Sequence, residues 1–375
     1  MPNYLFQLGH QPHISRAEII SVLDSKQIDY QLKSADTNFL LLSTSIPLFA
    51  TELNYQLGGT VKIMEELSTT QNIEADLGNY LNRIVPTGKI NFSLSGPNAT
   101  KHAIAIKKNL KQTGRLVRYV EPKNTATILH NNLIETETDL NIVYNRVYIT
   151  RSIQPLEEFT ERDYSRPKID GKSGMLPPKL ARILLNLASL SKNSTVLDPF
   201  CGSGTILLEA MDLGFSHLIG SDISSKAIDD SNKNIDWFIQ KNKNSAKPQL
   251  ILSDVHTLGQ KLQPKSIDAI ISEPYLGNPL HGHETKEQLK KSIHELKTLY
   301  EDSFQIFSRI LRRNGVIIFI IPEFYLNNDV IAIDCLSRIR ALGLKSVALD
   351  PESDSLLYRR PGQFVGRRIW KFVIA

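Results

Sequence analysis

The chain has 375 residues, 41% of them hydrophobic and 22% charged. That balance excludes a disordered chain, and the length exceeds what one ordinary core fills, so two or three domains are expected. The two cysteines, Cys201 and Cys335, exclude a disulfide framework and a thiolate zinc site, and the longest apolar run, Val316 to Ile321, is too short to span a bilayer. With no signal-peptide pattern at Met1 to Gln7, a cytoplasmic protein with no membrane partner is expected; the net charge of +5 excludes no soluble partner.

In chain order, Tyr4-Leu5-Phe6-Gln7-Leu8-Gly9 alternates as a strand does, and Ile14 to Leu23 places apolar residues at helical spacing, with Ser15 and Glu18 set as a capping box. A small α+β unit over residues 1–60 is expected. Lys89 to Leu94 reads as a strand, Thr100 to Gln112 as a helix closed by Gly114, and Leu116 to Val120 as another strand, which makes a second α+β unit over 61–150. Within it Lys101, Lys107, Lys108, Lys111, Arg115, Arg118 and Lys123 face one acid, Glu121. This basic surface suits an RNA backbone, the alternative being a solvated helix face.

Residues 151–174 are rich in proline, glycine and charge with little periodicity, and read as a linker. From Leu176 onward, short apolar strands at Ser194 to Leu197, His217 to Gly220, Gln249 to Leu252, Ala269 to Ile271 and Val316 to Ile321 alternate with helical stretches at Thr205 to Met211, Ser225 to Lys241 and Lys286 to Arg312. Such alternation predicts an α/β, doubly wound, Rossmann-like sheet over 175–375.

Asp198-Pro199-Phe200-Cys201-Gly202-Ser203-Gly204-Thr205 runs from a strand through a two-glycine turn into a helix, where unpaired amides and close backbone approach suit the polar end of a cofactor. A dinucleotide fingerprint needs a third small residue where Leu207 stands. Asp222-Ile223 ends the next strand at the spacing for ribose hydroxyls, and Asp254-Val255 ends the one after, where a carboxylate can accept from an adenine amino group; either acid can instead cap a helix.

Ser272-Glu273-Pro274-Tyr275 closes a fourth apolar strand. An exocyclic base amine is a poor nucleophile because its lone pair is delocalised into the ring. Acceptors on its N–H groups orient that lone pair, and Tyr275 can stack on the base. The alternative is a proline turn with Tyr275 in the core. His281, His283 and His294 near Glu284 are not expected to bind metal; the loop between Leu276 and Thr285 reads instead as a mobile lid.

This order of motifs resembles the class I S-adenosylmethionine-dependent amino-methyltransferases, whose fourth motif is usually Asp/Asn/Ser-Pro-Pro-Tyr/Phe. Alignment by strand puts Glu273 at the acid position and alignment by the aromatic puts Ser272 there; Glu273 is favoured. Arg162-Asp163-Tyr164-Ser165-Arg166-Pro167 with Gly174-Met175-Leu176-Pro177-Pro178 is similar to the approach to the catalytic domain in the THUMP-containing tRNA guanine-10 N2-methyltransferases. The opening strand and helix resemble that family's ferredoxin-like unit, and residues 61–150 a degenerate THUMP domain.

The resemblance implies transfer of a methyl group to a guanine amine in tRNA, with Glu273, Pro274 and Tyr275 at the base. It also implies S-adenosylmethionine held by Met175, Leu176, Pro177, Asp198, Phe200, Gly202, Ser203, Gly204, Thr205, Asp222, Ile223, Asp254 and Val255. Its RNA surface would comprise Lys101, Lys107, Lys108, Lys111, Arg115 and Arg118, which Arg359, Arg360, Arg367 and Arg368 either extend or leave to a solvated hairpin. A small activating subunit, an rRNA or DNA substrate, and a silent RNA-binding protein stay open.

Overall fold

The computed structural model describes residues 1–67, 72–169, 175–242, 246–280, 282, 284–326, 329–351 and 353–375. Two compact units emerge: Met1–Pro12, Gln27–Gln56 and Thr60–Pro155 form one, and His13–Lys26, Leu57–Gly59 and Leu156–Ala375 form the other.

The chain begins with β1 (Asn3–Leu8), α1 (Pro12–Ser25), β2 (Tyr30–Ala35), β3 (Phe39–Thr44), α2 (Ala50–Gln56), β4 (Thr60–Leu67) and α3 (Ile73–Ile84). It continues with β5 (Ile90–Ser95), α4 (Ala99–Gln112), β6 (Val117–Tyr119), α5 (Thr125–His130), β7 (Asp139–Val143) and β8 (Arg146–Ile153). Among the described residues these strands make one sheet in the order β2-β3-β1-β4-β8-β7-β5-β6. The two stretches read as separate α+β units therefore share a sheet, joined where β4 pairs with both β1 and β8. Helix α4 buries Ala103, Ile106 and Leu110 against Phe92 and Leu94 of β5, the one-sided helical spacing that leaves its lysines outward.

Helix α1 falls in the second unit, where Ile14 and Ala17 join a core with Leu180, Leu184 and Ile206. The capping box expected of Ser15 and Glu18 does not form, because both lie inside the helix. Ser15 Oγ donates to the Gly59 carbonyl at 2.8 Å. The wholly buried Glu18 carboxyl accepts from the Gly58 and Gly59 amides, each at 2.8 Å, and from Asn186 Nδ2 at 2.7 Å. Polar residues at helical spacing look alike whether they cap a terminus or serve a buried turn.

The second unit continues with α6 (Leu156–Tyr164), α7 (Pro178–Leu187), β9 (Thr195–Asp198), α8 (Thr205–Asp212), β10 (His217–Asp222), α9 (Ser225–Asn242), β11 (Gln249–Leu252), α10 (Val255–Lys261) and β12 (Ile267–Ser272). Then come α11 (Lys286–Ile310), β13 (Leu311–Leu326), β14 (Asp329–Ala332), α12 (Leu336–Ala341), β15 (Leu344–Val347), β16 (Ser355–Tyr358) and β17 (Val365–Ile374). The stretch read as a linker thus holds α6 and two buried arginines. Arg162 pairs with Glu209 at 2.6 Å and Arg166 donates to Thr205, so its charges mark internal contacts rather than solvated chain.

The sheet order is β11-β10-β9-β12-β13-β17-β15, with β14 on β13 and β16 on β17. Strands β9 to β13 pair in parallel, while β17 runs antiparallel to β13. Both faces are covered: in β13, Val316, Ile318 and Ile320 enter one core, and Ile317, Phe319 and Ile321 the other. The α/β doubly wound sheet expected from the alternation is what this unit forms. Chain order reverses between β9 and β12, which makes the carboxyl ends of those strands the switch point where ligands bind in such sheets.

Glu18→Ala would remove the buried acceptor of three hydrogen bonds, those from Gly58 N, Gly59 N and Asn186 Nδ2, so a loss of about 3 kcal/mol in urea unfolding is expected. A change below about 0.5 kcal/mol, within the range of an ordinary surface substitution, would refute this account of α1.

Candidate active site

A cavity of about 760 Å³ lies at the carboxyl ends of β11, β10, β9 and β12. Gly202 (φ +52°) and Gly204 (φ +87°) turn the chain from β9 into α8, both in the left-handed region that favours glycine. A Cβ on Gly204 would lie 2.5 Å from Ser231 Oγ, so a residue with a side chain there would have to displace that hydroxyl as well as adopt the left-handed backbone. Asp222, ending β10, fixes the same turn: one carboxylate oxygen accepts from Gly202 N at 3.0 Å and the other from Ser224 N at 2.9 Å. Each carboxylate oxygen keeps a further lone pair beyond these bonds.

Asp254 follows β11 and is the helix cap that one of its two readings anticipated. It caps α10 by accepting from His256 N at 2.9 Å, and it lines the cavity beside Val255 and His256. Hydrogen bonding from the His256 amide holds its carboxyl below the usual range.

Asp198 and Ser272 end β9 and β12 and tie the strands together, Ser272 Oγ donating to Asp198 Oδ1 at 2.6 Å. Burial pushes Asp198 up to about 7, against the hydrogen bonds from Ser272 and the Phe200 amide. Ser272 is wholly buried and absent from the cavity wall, whereas Glu273 is on it. Glu273 accepts from Arg367 Nε of β17, with both side chains about nine-tenths buried. Burial raises the Glu273 carboxyl from its ordinary value and Arg367 opposes the rise. Pro274 is buried, and Tyr275 is 53% exposed rather than in the core. Tyr300 Oη fixes that corner by donating to the Tyr275 carbonyl at 2.7 Å.

Of the residues expected to hold a cofactor, Met175, Leu176, Asp198, Phe200, Gly202, Ser203, Thr205, Asp222, Ile223, Asp254 and Val255 line this one cavity. Pro177 and Gly204 do not reach the wall; they precede α7 and α8 as cap residues. Gly174, His281 and His283 lie outside the described residues, and His294 sits exposed on α11. Arg367 pairs with Glu273 rather than belonging to a solvated hairpin, and Arg368 pairs with Glu323. Arg359 lies over the Tyr325 ring at 3.5 Å.

In the first unit Lys101, Lys108, Lys111 and Arg118 are exposed and Lys107 is half-buried. Arg115 is spent locally, donating to the Pro86 carbonyl at 2.6 Å and to that of Val85, so its charge serves the end of α3.

Asp198 holds its proton more tightly folded than unfolded, so its contribution to stability is full below its ordinary value of 3.8 and is lost as pH rises to about 7. Asp198→Asn should flatten the fall in unfolding free energy over that interval. A slope identical to that of the parent chain would contradict the shift.

Residues 166–350 match the family model UPF0020, described as an RMKL-like methyltransferase domain, and residues 98–233 match a DNA methylase model. The tRNA (guanine(10)-N2)-dimethyltransferase of Methanocaldococcus jannaschii is 27% identical over 217 residues, covering 58% of this chain and 52% of that protein. The enzyme of the same name from Methanothermobacter thermautotrophicus is 31% identical over 139 residues, covering 36% and 38%. The chain thus spans about half or less of the length of these curated relatives. The crystal structure of TrmN from Thermus thermophilus shares the fold over 100% of both chains, with a TM-score of 0.54 and 15% identity.

S-adenosylmethionine is the cofactor that goes with such a domain, and the wall fits it: the carboxylates of Asp222 and Asp254 follow successive strands, and Ile223, Val255 and the glycine turn line the same cavity. Residues 166–350 are thus similar to the UPF0020 family of methyltransferase domains, a match over just under half of the chain.

Proposed function

We propose that the chain transfers a methyl group from S-adenosylmethionine to the exocyclic N2 amine of a guanine in tRNA, at position 10 as the relatives' names suggest. The observation that carries the reading is Glu273, an acceptor-only side chain held by Arg367 on the cavity wall beside the glycine turn. Guanine presents two neighbouring donors on its pairing edge, N1–H and N2–H, which a carboxylate accepts together. Adenine and cytosine each pair an amine donor with a ring acceptor, which a carboxylate opposes.

The cofactor supplies an electrophilic methyl group. Glu273 orients the amine, Pro274 keeps the turn rigid, and the exposed Tyr275 ring offers a face to a base that has left its stack. The first unit would deliver the RNA in the cytoplasm through Lys101, Lys107, Lys108, Lys111 and Arg118, contacts that position the backbone without reading sequence.

A second reading, an amine of adenine or cytosine in DNA, draws on the DNA methylase match over 98–233. Incubation with labelled cofactor and unmodified tRNA transcripts, followed by nucleoside mass spectrometry, is expected to give N2-methylated guanosine. Label on adenine or cytosine, or on DNA alone, would overturn the proposal. Glu273→Ala is expected to slow transfer about 100- to 1,000-fold and to leave S-adenosylhomocysteine affinity within about twofold, since uniform binding is untouched; unchanged turnover would remove Glu273 from the mechanism.

A further inference from the structure

Arg166 is 2% exposed, yet it forms no ion pair among the described residues. Its Nη1 donates to Thr205 Oγ1 at 2.7 Å and its Nη2 meets Met175 Sδ at 2.9 Å, while Nε is buried with no partner. A thioether is a weak acceptor and a hydroxyl a neutral one, so a buried guanidinium, with five donors and a permanent charge, has no directly paired anion among the described residues. Asp163 and Glu209 are near enough to act on its charge, but Glu209 is engaged by Arg162 and Arg182. Arg166 is not itself on the cavity wall but sits directly behind it, since both of its side-chain partners, Thr205 and Met175, line the cavity. Thr205 is also the first residue of α8, whose leading amides favour negative charge.

Along the sheet edge the order is Asp254 on the β11 side, Asp222 on β10, the glycine turn on β9 and Glu273 on β12. A ligand laid along it with its base near Asp254 and its ribose near Asp222 brings its far end to Thr205. We infer that Arg166 is the anchor for the carboxylate of the cofactor's amino-acid end, acting with the amino terminus of α8; the assignment rests on the methyltransferase reading above. Thr205 and Met175 hold the guanidinium until the carboxylate takes over its remaining donors. The Arg166-Pro167 dipeptide also ties this anchor to α9, since Asn234 accepts from Lys168 N and donates to the carbonyls of Lys168 and Ser203, each at 2.9 Å.

The test is calorimetric titration of the full chain with two probes: S-adenosylhomocysteine, which has the amino-acid end, and 5′-methylthioadenosine, which lacks it. Arg166→Met is expected to weaken the first roughly tenfold to a hundredfold, as loss of a charged hydrogen bond does. The second should stay within about twofold, Arg166→Lys should recover part of the loss, and the melting temperature of the unliganded Met variant should not fall. A parallel loss for both probes, a loss for neither, or a marked drop in melting temperature would make Arg166 structural and overturn the assignment. A parent chain that binds neither probe would remove the cofactor reading itself, and this assignment with it.

Discussion

A carboxyl group taken almost out of water tends to keep its proton, and a protonated Glu273 would accept poorly. The Arg367 guanidinium, brought in by the antiparallel strand β17, is what offsets that burial. The pair needs β13 between β12 and β17, since β17 reaches the site only by pairing with β13 from Val316 to Phe324. Strand β17 therefore supplies the partner of Glu273 at the cavity wall and is more than an addition to the sheet.

The same economy of position holds at the centre of the site. Because chain order reverses between β9 and β12, the glycine turn and the Ser-Glu-Pro-Tyr turn become neighbours, and the Ser272–Asp198 hydrogen bond fastens one to the other. Ser272 and Glu273 then divide the work: one faces inward and sets the strand ends, the other faces the cavity. Of the two residues the motif leaves open, Glu273, just past the end of β12, is the one on the cavity wall.

What was legible in the sequence was local. The strand, two-glycine turn and helix from Val196 to Met211 are encoded within a few residues, as are the acids at the ends of β10 and β11, so the fold of the second unit and most of its cavity wall could be read directly. Arg367 could not, because its partner lies 94 residues away and an arginine near a chain end looks like solvated charge. The stretch 151–174 misled for the same reason: the acids that bury Arg162 are on α8. Ser15 and Glu18 carried a capping pattern whose true partners, Gly58, Gly59 and Asn186, are contributed by other segments. In each case periodicity reported the element and missed the distant group that gives its polar residue a role.

Whether Glu273 and Arg367 act as one device, as the proposed function requires, is read out by a double-mutant cycle on single-turnover methyl transfer to tRNA. If the arginine serves only through the glutamate, Glu273→Gln with Arg367→Gln should be no slower than Glu273→Gln alone. Losses that multiply, as they do for independent residues, would contradict the account.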